Sequence, residues 1–208
     1  IYKVNFSFYE KHGSKGYKIL ENIPKIINNR SITIADAKRG DIGNSSKYYA
    51  ESIFDYLGYN SITVNPYMGV DSIAPFLEYQ DKGVFILCLT SNVGSLDFQK
   101  LKINKLELYK YVASKALELN DNDNIGLVVG ATNSAEMDEI KSITKNLTWL
   151  IPGIGTQGGN LEKSLNVEQE NGLSIINVSR DIIYSGNGTL KDIRTKSLFY
   201  TKKIQEII

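Results

Sequence analysis

Charged side chains gather where a predicted strand of this sequence ends. Asp36, Lys38 and Asp41 follow directly after the apolar, β-branched run 32–35. Because side chains at i and i+2 of a strand point to the same face, Asp36 and Lys38 are expected to lie side by side at the strand end. This places a carboxylate next to an ammonium group, a pair suited to electrostatic and proton-transfer chemistry.

Asp41 lies beyond that strand, and strand alternation does not predict where it points. The residues after it, Gly43-Asn44-Ser45, form a turn and helix N-cap pattern. The partner of Asp41 must therefore be sought elsewhere.

The composition narrows the chemistry further. Cys88 is the only cysteine and His12 the only histidine, which excludes disulfides, thiolate zinc sites and histidine-based triads within one chain. Acids, bases and electrophiles must come from carboxylates, lysines, hydroxyls, amides or arginine, and the one metal that suits such ligands is carboxylate-bound magnesium.

The overall composition is that of a globular protein. The chain has 208 residues, 42% of them hydrophobic and 23% charged, which predicts a single domain over residues 1–208. With 24 basic and 23 acidic residues and no basic block, a nucleic-acid partner is not expected. No apolar run approaches the roughly 20 residues of a membrane span, and the start does not resemble a signal peptide. We expect a cytoplasmic protein with no membrane partner.

Short apolar runs alternate with longer amphipathic stretches along the chain. The runs predict seven strands, at 2–5, 32–37, 61–64, 83–89, 125–129, 149–151 and 173–178. The stretches between and after them predict helices at 16–27, 45–57, 70–79, 106–119, 134–143 and 191–207. This alternation is typical of the α/β class, with a parallel sheet covered by helices.

Such a sheet is either an open doubly wound sheet or a (β/α)₈ TIM barrel, and the chain length favours the barrel. A barrel needs eight strands and typically about 250 residues, so one β/α unit is missing from this count. We expect the missing unit to be the first, because the sequence begins inside a strand. The prediction is thus a single, N-terminally incomplete (β/α) barrel domain.

In a (β/α)₈ enzyme the active site lies at the carboxyl ends of the strands, and these positions are polar in this sequence. Lys3 lies on the first visible strand, Thr90-Ser91-Asn92 follows the fourth, a glycine-rich loop from Pro152 to Gly159 follows the sixth, and Ser179-Arg180 follows the last. The last two loops would be the seventh and eighth of the barrel, where phosphate sites are frequent. Glycines let backbone N–H groups approach an anion, and arginine binds phosphate oxygens with two parallel hydrogen bonds.

Each of these features also has a structural interpretation. A lone Gly-Ile-Gly is more often a turn than a phosphate loop, and a lone arginine is more often in a surface ion pair. Asp36 and Lys38 would then form a structural ion pair at a barrel rim. The occurrence of polar groups at successive strand ends favours the functional interpretation.

These residues resemble the orotidine 5′-phosphate decarboxylase family. Its Asp-x-Lys-x-x-Asp signature appears as Asp36, Lys38 and Asp41, and the lysine that the family places on the preceding strand matches Lys3. The Pro-Gly-Ile-Gly-Thr-Gln loop and the Ser-Arg pair after the last strand resemble the phosphate-binding elements of the family. The similarity extends over nearly the whole chain.

The resemblance implies a cofactor-free and metal-free carboxy-lyase that converts orotidine 5′-phosphate to UMP in pyrimidine biosynthesis. It implies a homodimer with shared active sites, and it implies that Lys38 stabilises and protonates C6 of the substrate. The implied catalytic residues are Lys3, Asp36, Lys38 and Asp41. The implied substrate-binding residues are Ile42, Ser45, Ser91, Pro152, Gln157, Ser179 and Arg180.

Within that resemblance, Asp41, Ile42 and Ser45 would reach into the pocket of the neighbouring subunit, Ser91 would contact the base, and Gln157 and Arg180 would contact the phosphate. The sequence departs from the family at Val93, where relatives often have proline. It also departs in its missing first strand, which in the family carries a ribose-binding aspartate.

Two other functions stay open at this point. The first is a magnesium-dependent sugar-phosphate decarboxylase or aldolase of the same superfamily, but that group has a metal-binding glutamate where this chain has Lys3. The second is a catalytically silent barrel that binds nucleotides. The chain is also compatible with being one part of a longer fused polypeptide.

Overall fold

The computed structural model describes residues 1–144, 147–156, 158–165 and 173–208. In this part of the chain the strands are β1 (Tyr2–Asn5), β2 (Thr33–Arg39), β3 (Ser61–Val64), β4 (Gly83–Leu89), β5 (Lys102–Ile103), β6 (Leu106–Glu107), β7 (Ile125–Val129), β8 (Thr148–Pro152) and β9 (Ser174–Asn177). The α-helices are α1 (Ser7–Glu10), α2 (Gly13–Ile27), α3 (Gly43–Glu51), α4 (Ala74–Leu77), α5 (Ser95–Phe98), α6 (Leu108–Glu118), α7 (Ser134–Ile143), α8 (Leu161–Leu165), α9 (Arg180–Ile183) and α10 (Leu190–Ile207). A π-helical segment, Ser52–Tyr56, and two 3₁₀ turns, Pro66–Met68 and Val70–Ser72, complete the set.

Seven of these strands form one sheet in the order β1-β2-β3-β4-β7-β8-β9, and β5 and β6 form a separate hairpin. The pairs β1·β2, β2·β3, β3·β4 and β8·β9 are all parallel. Neighbours in the sheet therefore follow chain order, with helices in the connections, which is the connectivity of a (β/α) barrel. The register places Asn5 opposite Asp36, which brings the ends of β1 and β2 together.

The chain divides into two compact units, and the first consists of Ile1–Leu87 and Glu118–Gly126. Its core contains Ile34, Ile62 and Phe76, all fully buried on strands and helices of this unit. Tyr59 is also fully buried, with its ring 5.3 Å from that of Phe6 in an edge-on contact. Of the strands in this unit, β3 is buried over its whole length, as expected for a strand covered on both faces.

The second unit consists of Cys88–Leu117 and Leu127–Ile208. Trp149 is completely buried in it, together with Leu127 and Met137. The indole Nε1 of Trp149 donates a hydrogen bond to Oγ1 of Thr144 at 3.3 Å. The largest side chain of this core therefore has its polar atom paired, as burial requires.

The seven predicted sheet strands are all confirmed, and four of them have the predicted bounds. Buried apolar runs of four to seven residues are a strong signal because a parallel sheet excludes water from both faces. The short hairpin β5–β6 was not predicted. Its turn residues Asn104 and Lys105 both have positive φ (50° and 70°), the backbone of a type I′ turn.

Five of the six predicted helices were placed correctly, although several of their ends were not. The predicted helix 45–57 begins earlier, at Gly43, with Ile42 as its N-cap, so the pattern Gly43-Asn44-Ser45 lies inside the first turn. The same helix continues as the π-helical segment, in which the Leu57 N–H bonds to the Ser52 carbonyl at 2.9 Å. The predicted helix 106–119 begins at Leu108, because residues 106–107 belong to the hairpin.

The single helix predicted over 70–79 is wrong. The chain forms a 3₁₀ turn at Val70–Ser72 and then the short helix α4, with Pro75 in its first turn. Proline has no N–H and disfavours helical backbone in the residue before it, which disfavours a continuous helix from Val70 through this position.

No helix in the described ranges is both long and apolar enough to cross a bilayer.

Candidate active site

The first group of predicted site residues forms a compact ionic cluster. Lys3 Nζ donates to Asp36 Oδ2 at 2.7 Å, and Lys38 Nζ donates to Asp36 Oδ1 at 2.5 Å. We call these three residues the lysine cluster. Asp36 is 8% exposed, and its two oxygens bind two different ammonium groups. The predicted proximity of Asp36 and Lys38 is confirmed, and Lys3 joins them from the neighbouring strand.

The backbone around Lys38 departs from that of a regular β-strand. The register between β2 and β3 shifts between Ala35 and Arg39, and Lys38 has a φ of 49°. A left-handed lysine within a strand is unusual, since its Cβ crowds the backbone there. Such bulges often aim a side chain at a functional site.

A buried hydroxyl from β3 completes the cluster. Thr63 Oγ1 accepts a hydrogen bond from the Lys38 backbone N–H at 3.0 Å and donates to Asp36 Oδ1 at 3.1 Å. Sequence reasoning missed Thr63, because the run 61–64 was interpreted only as buried strand. The available signal was its position at the carboxyl end of a strand adjacent to Asp36 and Lys38.

The electrostatics of the cluster keep Asp36 charged. Burial by itself raises the pKa of this carboxyl, but the ammonium groups of Lys3 and Lys38 outweigh burial, and the net pKa lies below its ordinary value. The cluster therefore holds a buried, charged carboxylate between two ammonium groups.

The other predicted residues of the first unit lie apart from this cluster. Asp41 Oδ1 accepts a hydrogen bond from the Ile42 N–H at 2.8 Å, and among the described residues no lysine or arginine forms an ion pair with it. Ile42 is 54% exposed, and Ser45 is exposed on the first turn of α3. Within one chain the structure does not bring these three residues to the lysine cluster.

In the second unit, Ser91 lies on the loop after β4, and its neighbours fix that loop. The Thr90 N–H donates to Gln99 Oε1 at 2.7 Å, and Asn133 Nδ2 donates to the Thr90 carbonyl at 3.1 Å. Ser91 itself is half-buried and packs closely on Gly130, where an added Cβ would lie 2.7 Å from the Ser91 nitrogen. The Gln99 and Asn133 side chains thus hold the backbone of Thr90, the residue directly before Ser91.

The glycine-rich loop begins at Pro152, the last residue of β8. Gly155 has a φ of 88°, and a Cβ at this position would lie 3.1 Å from both the Tyr200 hydroxyl and Asp181 Cβ. Both the backbone conformation and the close contacts therefore require glycine at this position. Gln157, predicted to contact phosphate, lies outside the described residues.

Ser179 and Arg180 are exposed at the start of α9. The neighbouring Asp181 is fixed by α10, since Tyr200 donates to its Oδ2 at 2.5 Å and Lys196 lies 3.1 Å from the same oxygen. The Tyr200 bond and then Lys196 lower the pKa of Asp181, while burial and the Asp181 charge raise the pKa of Tyr200 to about 12. We call Ser179, Arg180 and Asp181 the arginine segment.

Among the residues that the structure describes, no group of three or more histidine, cysteine, aspartate or glutamate side chains is placed to hold a metal ion. The lysine cluster offers ammonium and hydroxyl groups, and the arginine segment of the second unit offers a guanidinium group; such groups bind anions and stabilise negative charge.

An ionic cluster at strand ends, in a sheet whose strands follow chain order, defines the class of α/β-barrel enzymes with charged sites at the carboxyl ends of the strands. The orotidine 5′-phosphate decarboxylase / HUMPS family matches residues 1–191, and the chain belongs to this family.

Curated relatives are similar over most of the chain. An orotidine 5′-phosphate decarboxylase of Dehalococcoides mccartyi is 53% identical over 194 residues, which are 90% of this chain and 72% of the relative. The predicted enzyme class, a carboxy-lyase of UMP biosynthesis, is confirmed.

Solved structures support the same assignment. The Leishmania donovani OMP decarboxylase is 37% identical with a TM-score of 0.91, covering 99% of this chain and 80% of that chain. The UMP synthase of the same organism is 39% identical with a TM-score of 0.91, and there this chain covers only 46% of the longer chain. The predicted fold class, the α/β TIM barrel, is confirmed.

Proposed function

We propose that this chain decarboxylates orotidine 5′-phosphate to UMP and that Lys38 acts at C6 of the pyrimidine without help from a metal. Membership in the family supports the reaction. The observation that carries the mechanism is the lysine cluster, in which a buried carboxylate fixes two ammonium groups at the ends of adjacent strands.

In the proposed step, the bond between C6 and the carboxylate carbon breaks, and CO₂ leaves. The electron pair stays on C6, where the pyrimidine ring delocalises it poorly. The Lys38 ammonium stabilises this negative charge and then transfers a proton from Nζ to C6, which gives UMP. Because the Lys38 side chain is 48% exposed, solvent can restore the proton afterwards.

Asp36 and Lys3 have positioning roles in this proposal. Asp36 binds Lys38 Nζ and fixes its position, while Lys3 balances the charge of the buried carboxylate from the other side. Asp36 would lie near the departing carboxylate, where its charge disfavours the bound substrate relative to the transition state.

The remaining contacts are proposed from the family resemblance. Asp41, Ile42 and Ser45 would complete the site of a second copy in a homodimer. Ile42 and Ser45 are exposed, and Asp41 is half-buried with no ion pair within the described part of one chain, which supports this proposal. Ser91 would contact the base, while Pro152, Gln157, Ser179 and Arg180 would bind the phosphate. A cytoplasmic location stays a prediction.

The test is a direct assay of the purified protein. Orotidine 5′-phosphate is added in buffer containing EDTA, and its ultraviolet absorbance is followed while UMP is identified by chromatography. We expect turnover that EDTA does not reduce. No UMP under any condition would contradict the reaction, and turnover that requires added magnesium would contradict the metal-free mechanism.

A further inference from the structure

We propose that Thr63 is a positioning residue for Lys38: its hydroxyl links the backbone of Lys38 to the carboxylate that holds the Lys38 amine. This inference rests on the proposed role of Lys38 in decarboxylation. Thr63 does not contact the reacting atoms in this proposal and acts only through its two neighbours.

The hydrogen-bond roles at Thr63 are fixed by its partners. A backbone N–H can only donate and a carboxylate can only accept. The Thr63 hydroxyl must therefore accept from Lys38 N at 3.0 Å and give its single proton to Asp36 Oδ1 at 3.1 Å. One hydroxyl thus satisfies both groups, in a position that is 1% exposed.

The three hydrogen bonds form a closed ring that begins and ends on the same lysine. The Lys38 N–H binds the Thr63 hydroxyl, the hydroxyl binds Asp36 Oδ1, and this oxygen accepts from Lys38 Nζ at 2.5 Å. Fixing the main chain and the amine of one flexible side chain in a single ring restricts where Nζ can lie. Such restriction supports catalysis, because a displacement of the reacting group by about 1 Å costs as much as 100-fold in rate.

The left-handed backbone of Lys38 explains why such a link is needed. A non-glycine residue at a φ of 49° is strained, and it persists only where neighbouring groups hold it. Regular pairing with β3 is interrupted between Ala35 and Arg39, so the sheet ladder does not hold this turn. The Thr63 side chain supplies the bond that the ladder lacks at Lys38.

The same unit contains a matched control. Thr33 is 2% exposed, and its Oγ1 accepts from the Asn60 N–H at 3.1 Å and donates to Asn60 Oδ1 at 2.9 Å. Thr33 therefore plays the same double role as Thr63, but its partner is an asparagine instead of the lysine cluster. Removing the Thr33 hydroxyl therefore measures how much stability is lost when such a hydroxyl is removed outside the lysine cluster.

The experiment compares Thr63→Val, Thr63→Ser and Thr33→Val by steady-state kinetics and thermal unfolding. We expect Thr63→Val to lower kcat at least about tenfold with KM changed less than about threefold. Thr63→Ser keeps the hydroxyl and should return kcat to within about threefold of the parent. Thr33→Val should lower Tm by a similar amount to Thr63→Val and leave kcat within about twofold.

A kcat for Thr63→Val within about twofold of the parent would overturn the inference, as would a serine variant as impaired as the valine variant. If Thr63→Val does not fold, the pair Thr63→Ala and Thr63→Ser decides in the same way, since the two differ only by the hydroxyl.

A second measurement tests the role of Thr63 independently of the proposed function. The pKa of the Asp36 carboxyl, followed by ¹³C NMR, should rise in Thr63→Val, since a hydrogen bond to the charged form is lost, and stay unchanged in Thr33→Val. If the parent does not decarboxylate the substrate, the proposed function fails, and this NMR comparison still tests the link. An unchanged Asp36 pKa in Thr63→Val would then refute it.

Discussion

The lysine cluster and the arginine segment differ in how their charged side chains are held. In the cluster, both oxygens of a buried carboxylate are occupied by ammonium groups, and a threonine hydroxyl adds a further bond. In the arginine segment, the network of Asp181, Tyr200 and Lys196 fixes the backbone, whereas Arg180 itself is exposed and has no side-chain partner among the described residues.

The charges of the lysine cluster are therefore preorganised by ion pairs within the protein, whereas the guanidinium of Arg180 is exposed to solvent. Preorganised groups act on the transition state without rearranging, which is where electrostatic catalysis is strongest. An exposed guanidinium can instead bind a phosphate dianion with two hydrogen bonds. Changes in the first region should therefore alter kcat, and changes in the second should alter how the substrate is held.

The largest effect is expected from Lys38→Ala. Removing the proposed proton donor should lower kcat/KM for orotidine 5′-phosphate by more than about 10³-fold, in the range of a lost general acid combined with lost charge stabilisation. Steady-state assays of UMP formation measure this, with Lys18→Ala, a surface lysine on α2, as control. Activity of the Lys38 variant near the parent level would remove the cluster from catalysis.

A smaller loss is expected from Arg180→Ala. We expect kcat/KM to fall at least tenfold, about 1.4 kcal/mol, because the bound phosphate helps to orient the reacting ring. Arg194→Ala, an exposed arginine on α10, is the control and should have no effect. An unchanged kcat/KM for the Arg180 variant would show that this arginine does not bind the phosphate.

Tyr200→Phe should have a still smaller effect on catalysis, because Tyr200 contacts Asp181 of the arginine segment and not Arg180 itself. It removes the hydrogen bond to Asp181 and should raise KM by about two- to fivefold with kcat unchanged, and lower Tm by a few degrees. Kinetics and thermal unfolding measure the two effects. The control is Tyr184→Phe, whose side chain is 76% exposed. A fall in kcat without a change in KM would contradict the division between the two regions.

The smallest expected effect concerns pH. The pKa of Asp36 is lowered in the folded protein, so ionised Asp36 adds stability above its unfolded pKa of about 3.9, and this stability is lost as pH falls through the lower folded value. Lys3→Met removes one ammonium and should raise the folded pKa towards the unfolded value, so Asp36 adds less stability at neutral pH and the acid-dependent loss of stability is smaller. Unfolding free energies between pH 3 and pH 7 test this, and identical acid profiles would contradict it.

Strand positions could be predicted from the sequence because burial on both faces leaves a continuous apolar run, as in β3, β4 and β7. Helix ends depend on weaker local signals. The π-helical segment and the break at Pro75 arise from hydrogen bonds that hydrophobic periodicity does not encode.

The sequence predicted that Asp36 and Lys38 lie close together, but it did not predict the backbone conformation and hydrogen bonds that hold them there. Strand alternation correctly placed Asp36 beside Lys38, although the register shift and the positive φ of Lys38 mean that the real backbone is not the regular strand assumed. Thr63 was not predicted, because a threonine within a β-branched run is also typical of a buried strand. The proposed role of Asp41 depends on a second copy, which one sequence does not position.

The left-handed backbone at Lys38 also has a consequence for engineering. Glycine adopts this conformation without the penalty that lysine carries, but a glycine would also remove one of the two ammonium groups that hold the buried Asp36 carboxylate. A design that relieves the backbone strain at this position therefore has to keep the amine, and screens for improved variants need to select for turnover and stability together.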